Sequence, residues 1–234
     1  MADNPIVAHI YVLNGEKDTL DLSPKKCEVL ATDSLSSSKF LRAVAARSKA
    51  AFTVLYLKPQ QLRFGYRALE RMLAVAQDTQ AAMVYADRYE EKAGVVTPHP
   101  VIDYQEGSVR DDFDFGSLLM VRTQLPQDFF PDRNVRFRYA ALYALRLFLS
   151  TKGRLVHLRE FLYTEVETDL RKSGEIQFDY VNPANREVQL ENERACTEHL
   201  KRIGAWLAPD EYDDLPNDET QYPVEASVII PVRN

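Results

Sequence analysis

Carboxylates that crowd together can hold a divalent cation or divide acid and base roles between them. The densest run in this chain is Arg110-Asp111-Asp112-Phe113-Asp114-Phe115-Gly116. Asp112 and Asp114 are two positions apart, so an extended segment would put both on one face, within reach of one metal ion. A turn or surface loop is the commoner fate of such a run. Yet three acids set among two phenylalanines and a glycine make an unusual loop, and Asp111, Asp112 and Asp114 stand as the best local candidates. Asp87, followed by Arg88, could ligate a metal or face an acceptor at a strand end. Its commoner role there is a solvated carboxylate paired with the arginine. The histidines His9, His99, His157 and His199 lie far apart and have no ligand spacing. His9 and His157 fall in strand-like runs, where a packed or half-exposed imidazole is the ordinary outcome. No nucleophile elbow, phosphate-binding loop or dinucleotide fingerprint occurs, so hydrolase, NTPase and dinucleotide readings have no support.

The elements that must position these residues are organised around Ala51 to Glu90. The apolar run Ala51–Leu57 is rich in β-branched and aromatic residues and breaks at Lys58-Pro59-Gln60, where proline lacks an N–H. Within Leu62 to Gln77, the residues Leu69, Met72, Leu73 and Ala76 recur at helical spacing. A second apolar run, Ala81–Ala86, ends on Asp87. Strand, helix and strand with continuous apolar runs predict a parallel βαβ unit, whose sites lie at the carboxyl ends of the strands, near Lys58 and Asp87. Ahead of it, Ile6–Leu13 closed by Asn14-Gly15 predicts a first strand, and Cys27–Ala31 a second. Ser34, Ser36, Ser37 and Ser38 supply an N-cap for a helix carrying Phe40, Leu41, Val44 and Ala45. Beyond it, Arg88–Tyr104 reads as a hairpin or irregular excursion, Ser117–Val121 as a strand, Arg138–Leu149 as a helix and Arg154–Leu158 as a short strand. Asn182-Pro183 opens a long helix running to Trp206 and Leu207.

Composition bounds the function. The 234 residues suffice for one large domain, or one domain and a piece of another. A net charge of −6 without a basic run argues against nucleic acid as a partner. Two cysteines, Cys27 and Cys196, suit a reduced compartment and form no metal pattern. No signal peptide and no apolar stretch of membrane-spanning length is present. The expectation is a cytoplasmic protein, able to act at the inner membrane face.

Pro209 to Tyr222 is acidic and carries two prolines, the composition of a linker. A fresh strand, Val224 to Asn234, then begins just where the chain stops and closes on Ser227-Val-Ile-Ile-Pro-Val-Arg-Asn234. It resembles the opening strand of family 2 glycosyltransferases, nucleotide-sugar enzymes of the GT-A fold. The body is similar to a GT-A domain over most of residues 5 to 165. Val29–Ser36 resembles a strand ending in the aspartate that contacts the nucleobase, here Asp33. Phe40–Leu57 resembles the next helix and strand, and Leu69–Asp87 the helix before a strand ending Val84-Tyr-Ala-Asp87. Ala144–Leu147 through Lys152-Gly-Arg-Leu-Val-His157, then Glu160–Tyr163, resemble the region of the catalytic base.

The resemblance implies an α/β, GT-A-like, mostly parallel sheet with flanking helices and a long C-terminal helix. It divides the chain into a glycosyltransferase-type domain (1–208), an acidic linker (209–223) and the first strand of a truncated second glycosyltransferase domain (224–234). The departures are at the centre. Where the family carries a metal-holding D-x-D, this chain reads Lys58-Pro59-Gln60, and a gapless comparison puts Ala144 in place of the base. Lys58 can offset phosphate charge but cannot ligate a metal as a carboxylate does. Asp33 is a nucleobase or ribose contact on this reading, or a helix cap on the plainer one. Tyr85, Tyr89, Tyr104, Phe113 and Phe115 could stack on sugar rings, though core packing claims such residues more often.

The expected function is sugar transfer from a nucleotide sugar to a hydroxyl of a saccharide acceptor, in polysaccharide or glycoconjugate synthesis. Magnesium or manganese would serve the parent enzyme, with the chemistry in the second domain and this segment a degenerate module beside it. The alternatives are a segment active through non-standard carboxylates and a protein-interaction module that binds no sugar.

Overall fold

The computed structural model describes residues 3–14, 26–31, 36–58, 61–130, 136–167, 186–208 and 210. In chain order they form β1 (Ile10–Asn14), β2 (Cys27–Ala31), α1 (Ser38–Arg47), β3 (Phe52–Tyr56), β4 (Gln61–Phe64), α2 (Ala68–Asp78) and β5 (Met83–Lys92). There follow β6 (Val95–His99), β7 (Leu118–Arg122), α3 (Gln124–Phe129), α4 (Ala141–Ser150), β8 (Leu155–Glu167) and α5 (Arg186–Ile203). Asp33, Pro59 and Gln60, Asn182-Pro183, and the acidic stretch and terminal strand from 211 onward lie outside the described residues.

The main sheet runs β3-β7-β5-β8-β4, with β6 paired to β5, while β1 and β2 form a separate parallel pair. Its centre is β5, whose side chains alternate between two cores as the pleat requires. Met83 and Tyr85 pack with Phe40, Leu41 and Val44 of α1, Phe129 of α3, Leu145 and Leu149 of α4 and Ala195 of α5. Val84 and Ala86 pack with Ala68, Met72 and Ala76 of α2 and with Leu118, Met120 and Leu158. The result is three layers, with α2 on one face of the sheet and the other helices on the second. Met72, which is 0% exposed, contributes on the order of 1.5–3 kcal/mol by its burial.

Several expectations are met. Leu69, Met72 and Ala76 form the buried face of α2, and Ser37 caps α1 by accepting from the Phe40 amide at 3.2 Å. The excursion after Asp87 is a hairpin. Ala93 (φ 49°) and Gly94 (φ 80°) form its two-residue turn, the positive angles that match the twist of paired strands.

Others are corrected. The sheet is mixed rather than mostly parallel. Strand β7 lies antiparallel between β3 and β5, and β5–β8 is its one parallel pairing among the described residues. Continuous apolar runs report burial on both faces, and say nothing of a neighbour's direction. Gln61–Phe64 is not the start of the helix but a short strand antiparallel to β8. Strand β5 does not end at Asp87 but continues to Lys92, and β8 is 13 residues long rather than a short strand.

Candidate functional site

Asp87 and Arg88 sit where β5 slips against β8, with register shifts on either side of Asp87. Such an irregularity re-aims side chains. The two residues are both 5% exposed and face different partners. Asp87 is therefore neither a solvated strand end nor paired with its neighbour. Its Oδ1 accepts from the Val101 amide at 2.9 Å and lies 2.9 Å from His157 Nε2. On the far side of that ring, Nδ1 is 2.7 Å from Asp103 Oδ1, and Asp103 is also paired with Arg159. Hydrogen bonds from Arg159 and then His157 hold the Asp103 carboxyl down at about 2. Tyr85 stacks over His157 at 5.0 Å and 10°, while its hydroxyl donates to Ile102 O and accepts from the Tyr104 amide. Burial pushes that phenol up to about 12, so it stays protonated. This chain of groups ties residues 101–104 to the sheet.

Arg88 organises the second constellation. Its guanidinium contacts Glu90 Oε1 at 3.0 Å, Asp114 Oδ2 at 3.3 Å and Glu165 Oε1 at 3.3 Å. Burial works against its charge, but Asp114, Glu165, Tyr163 and Glu90 outweigh that and raise its pKa. Glu165, near the end of β8, has a side chain only 5% exposed and also takes hydrogen bonds from Lys58 Nζ and Ser117 Oγ. Tyr56 beside it is pushed up to about 12 by burial and then by the charge of Glu165. Lys58, which the resemblance sets where a metal-binding aspartate belongs, thus spends its charge on Glu165. Asp114 accepts from the Gly116 amide at 2.7 Å and touches His99 Nε2 at 3.3 Å. Burial alone would raise its pKa, but the Gly116 amide, Arg88 and His99 bring it below the usual carboxylate range. His99 completes the rim, with Nδ1 3.3 Å from Glu90.

The Asp111–Asp114 run does not converge on one point. Asp112 is exposed and held bidentately by Arg110 at 2.9 Å, and Asp111 accepts from Asn192 Nδ2 of α5 at 2.9 Å. Asp114 alone reaches the sheet. The reason is that residues 101–117 form no strand, so the alternation that would align Asp112 with Asp114 does not exist. This segment is instead pinned by Arg146 of α4, which donates to Ser108 O at 2.7 Å and to Arg110 O. The guanidinium of Arg146 lies within 6 Å of the rings of Tyr104, Phe115 and Tyr143. Tyr104, Phe113 and Phe115 pack on one another, and Phe115 meets Tyr85 edge-on, so these rings are structural. Tyr89 stacks with Phe161 at 4.7 Å.

Among the described residues no group of three or more His, Cys, Asp or Glu side chains is placed to hold a metal ion. Ala144 is buried in the core at 6% exposure and brings no acid or base. An open depression of about 480 Å³ lies at the other end of β3, lined by Ser48, Lys49, Thr123 and Gln127, away from these constellations.

Sequence reasoning missed His157, Asp103, Glu165 and Ser117. His157 and Arg159 do stand two apart in an otherwise apolar stretch, a signal that two polar side chains share one face. Their partners lie 54 to 70 residues away, beyond any local pattern. Asp33 lies outside the described residues.

No family model matches the chain, and no curated protein matches it. Among solved structures it is similar to the crystal structure of S. aureus TarS 1-349 in complex with UDP-GlcNAc. The TM-score is 0.52 and the identity 13%, over 87% of this chain and 66% of that one. No helix among the described residues is long and apolar enough to cross a membrane. The likeness, together with the three layers and the mixed sheet, gives the chain an α/β, GT-A-like glycosyltransferase fold.

Proposed function

We propose that this chain is a glycosyltransferase-type module of a protein that transfers sugar from a nucleotide sugar to a hydroxyl of a saccharide acceptor, in polysaccharide or glycoconjugate synthesis. In this reading the module does not perform the transfer. Moving a sugar off a diphosphate needs a cation to take up the charge of the leaving group and a base to take the acceptor's proton. The observation that carries the reading is the state of the two cations at this edge. Lys58 and Arg88 both hold the buried Glu165, and Arg88 also holds Glu90 and Asp114. A diphosphate would have to pull Arg88 from a carboxylate that is 5% exposed, leaving a buried charge without its buried partner, and would compete with that same carboxylate for Lys58. Ala144 offers no base in the position the resemblance assigns to one.

The transfer, with magnesium or manganese, would then be performed by a catalytic partner, and this module positions the acceptor, binds a saccharide or packs on that partner. The cytoplasmic location belongs to the same proposal. UDP-GlcNAc is the first donor to test, because the similar solved structure holds it. Incubated with UDP-GlcNAc or other nucleotide sugars and manganese, the chain is expected to release no nucleotide above the protein-free rate. Turnover that persists through purification and disappears in Asp114→Ala would overturn the reading in favour of a catalytic segment.

A further inference from the structure

Helix α5 is attached to the body by contacts of two kinds. At its rim, the Glu191 carboxylate accepts from the amides of Arg138, Tyr139 and Ala140 at 2.7 to 3.1 Å, just ahead of α4. Arg194 adds a bond to Arg136 O and lies over the Phe137 ring at 4.4 Å. At its centre are Ala195 and His199, the two residues of α5 that are buried, at 3% and 4% exposure. His199 Nδ1 has no hydrogen-bond partner. That is unusual for a buried polar atom, which ordinarily finds one.

The surroundings of His199 make a proton on it costly. The charge of Arg146, on α4, acts against it, and that guanidinium is itself buried and held by the carbonyls of residues 108 and 110, so it cannot swing away freely. Arg202 faces it from the next turn of α5. Among the other ionisable groups of the interface, Tyr143 of α4 is raised by burial and by Cys196 of α5, so it stays neutral. Asp111 is bonded to Asn192. The Glu191 carboxyl, despite burial, is kept low by the three amides it accepts from, and so stays ionised at mildly acidic pH. The outer face of α5 carries Glu198, paired with Arg194, and Lys201 over the Trp206 ring.

We infer that α5 is an acid-released strap, seated on α4 while His199 is neutral and unseated when that imidazole takes up a proton. The sign follows from the burial. Burial first, then Arg202 and Arg146, lower the pKa of His199 below its ordinary 6.5. The seated state therefore binds fewer protons than the unseated one. Its stability is fully present above the free value of 6.5 and is lost as pH falls from there toward the lowered value. Between about pH 7.5 and 5.5, a proton that prefers the unseated imidazole multiplies unseating by a factor that reaches about tenfold where the seated form takes up none. The α5 residues that carry the inference contact neither Arg88 nor Glu165, so it stands or falls independently of the sugar-transfer reading.

The test is amide hydrogen exchange on the full 234-residue chain at those two pH values, corrected for intrinsic exchange rates. Protection of the α5 amides is expected to fall from the higher to the lower pH, by up to about tenfold, while α2 holds its protection. In His199→Gln the same comparison is expected to show less than about a twofold change. Unchanged α5 protection in the native chain, or a loss of the same size in His199→Gln, would overturn the inference. Should the variant fail to fold, the native imidazole can be titrated by NMR. A midpoint below 6.5 that coincides with loss of α5 protection supports the strap, and a midpoint at or above 6.5 overturns it.

Discussion

Glu165 is the residue on which the candidate site turns, because its carboxylate is out of water and lives on its partners. Removing one partner of a buried ion pair strands the other charge, at a cost of about 3–5 kcal/mol. Arg88, whose side chain is 6% exposed, is such a partner, and Arg88→Met is expected to lose stability in that range by urea unfolding. Lys58 is 41% exposed, so water can replace it, and Lys58→Met is expected to cost about 1 kcal/mol or less. Combining Arg88→Met with Glu165→Gln should recover part of the loss; strictly additive effects would mean that the pair is not coupled. A second expectation concerns Asp103, held at about 2 against an ordinary 3.8 by Arg159 and His157. Its contribution is present above the unfolded value and disappears as pH falls through the folded one. Acid unfolding between pH 3.8 and 2 should therefore be shallower in Asp103→Asn, and an identical profile would refute the tie. Little of this was legible in the sequence. Asp87 and Asp114 stood out as acids, but their partners His157, Arg88 and His99 are set by strand register and by the fold of residues 101–117, neither of which leaves a local trace.

At the scale of elements, the segment between β6 and β7 depends on one backbone turn. Gly116 has φ +72°, and a Cβ built on it would stand 2.4 Å from the Tyr163 hydroxyl, the group that accepts from the Ser117 amide. Gly116→Ala should combine backbone strain with displacement of Tyr163, costing about 2 kcal/mol or more in thermal or urea unfolding. Gly107 has φ +85° with nothing within 4 Å of its Cβ position, so Gly107→Ala should show only the backbone share, about 1 kcal/mol. Equal losses at the two glycines would contradict the clash. Elements were more readable than residues. The spacing of Leu69, Met72 and Ala76 revealed α2, because burial of one helix face imposes that period. Strand β4 was missed because four residues alternating exposed and half-buried are too short to outweigh the helical pattern just beyond them. The extension of β5 was missed because Arg88-Tyr-Glu-Glu-Lys92 is polar, as suits the rim of a hairpin.

For the whole molecule, the alternation of apolar strands and an amphipathic helix was enough to reach an α/β fold, and the likeness to the TarS structure agrees with it. The mixed strand order was not readable, since β7 enters between β3 and β5 only once the chain has folded back on itself. The functional proposal rests on a charge balance at one edge of this sheet, where Lys58, Arg88, Glu165, Glu90 and Asp114 satisfy one another. The most direct measurement is manganese binding, followed by electron paramagnetic resonance with and without UDP-GlcNAc. No tightly bound ion is expected, and the same signal from Lys58→Met and the native chain. One equivalent of manganese bound in the presence of the nucleotide sugar, and lost in Asp114→Ala, would contradict the proposal.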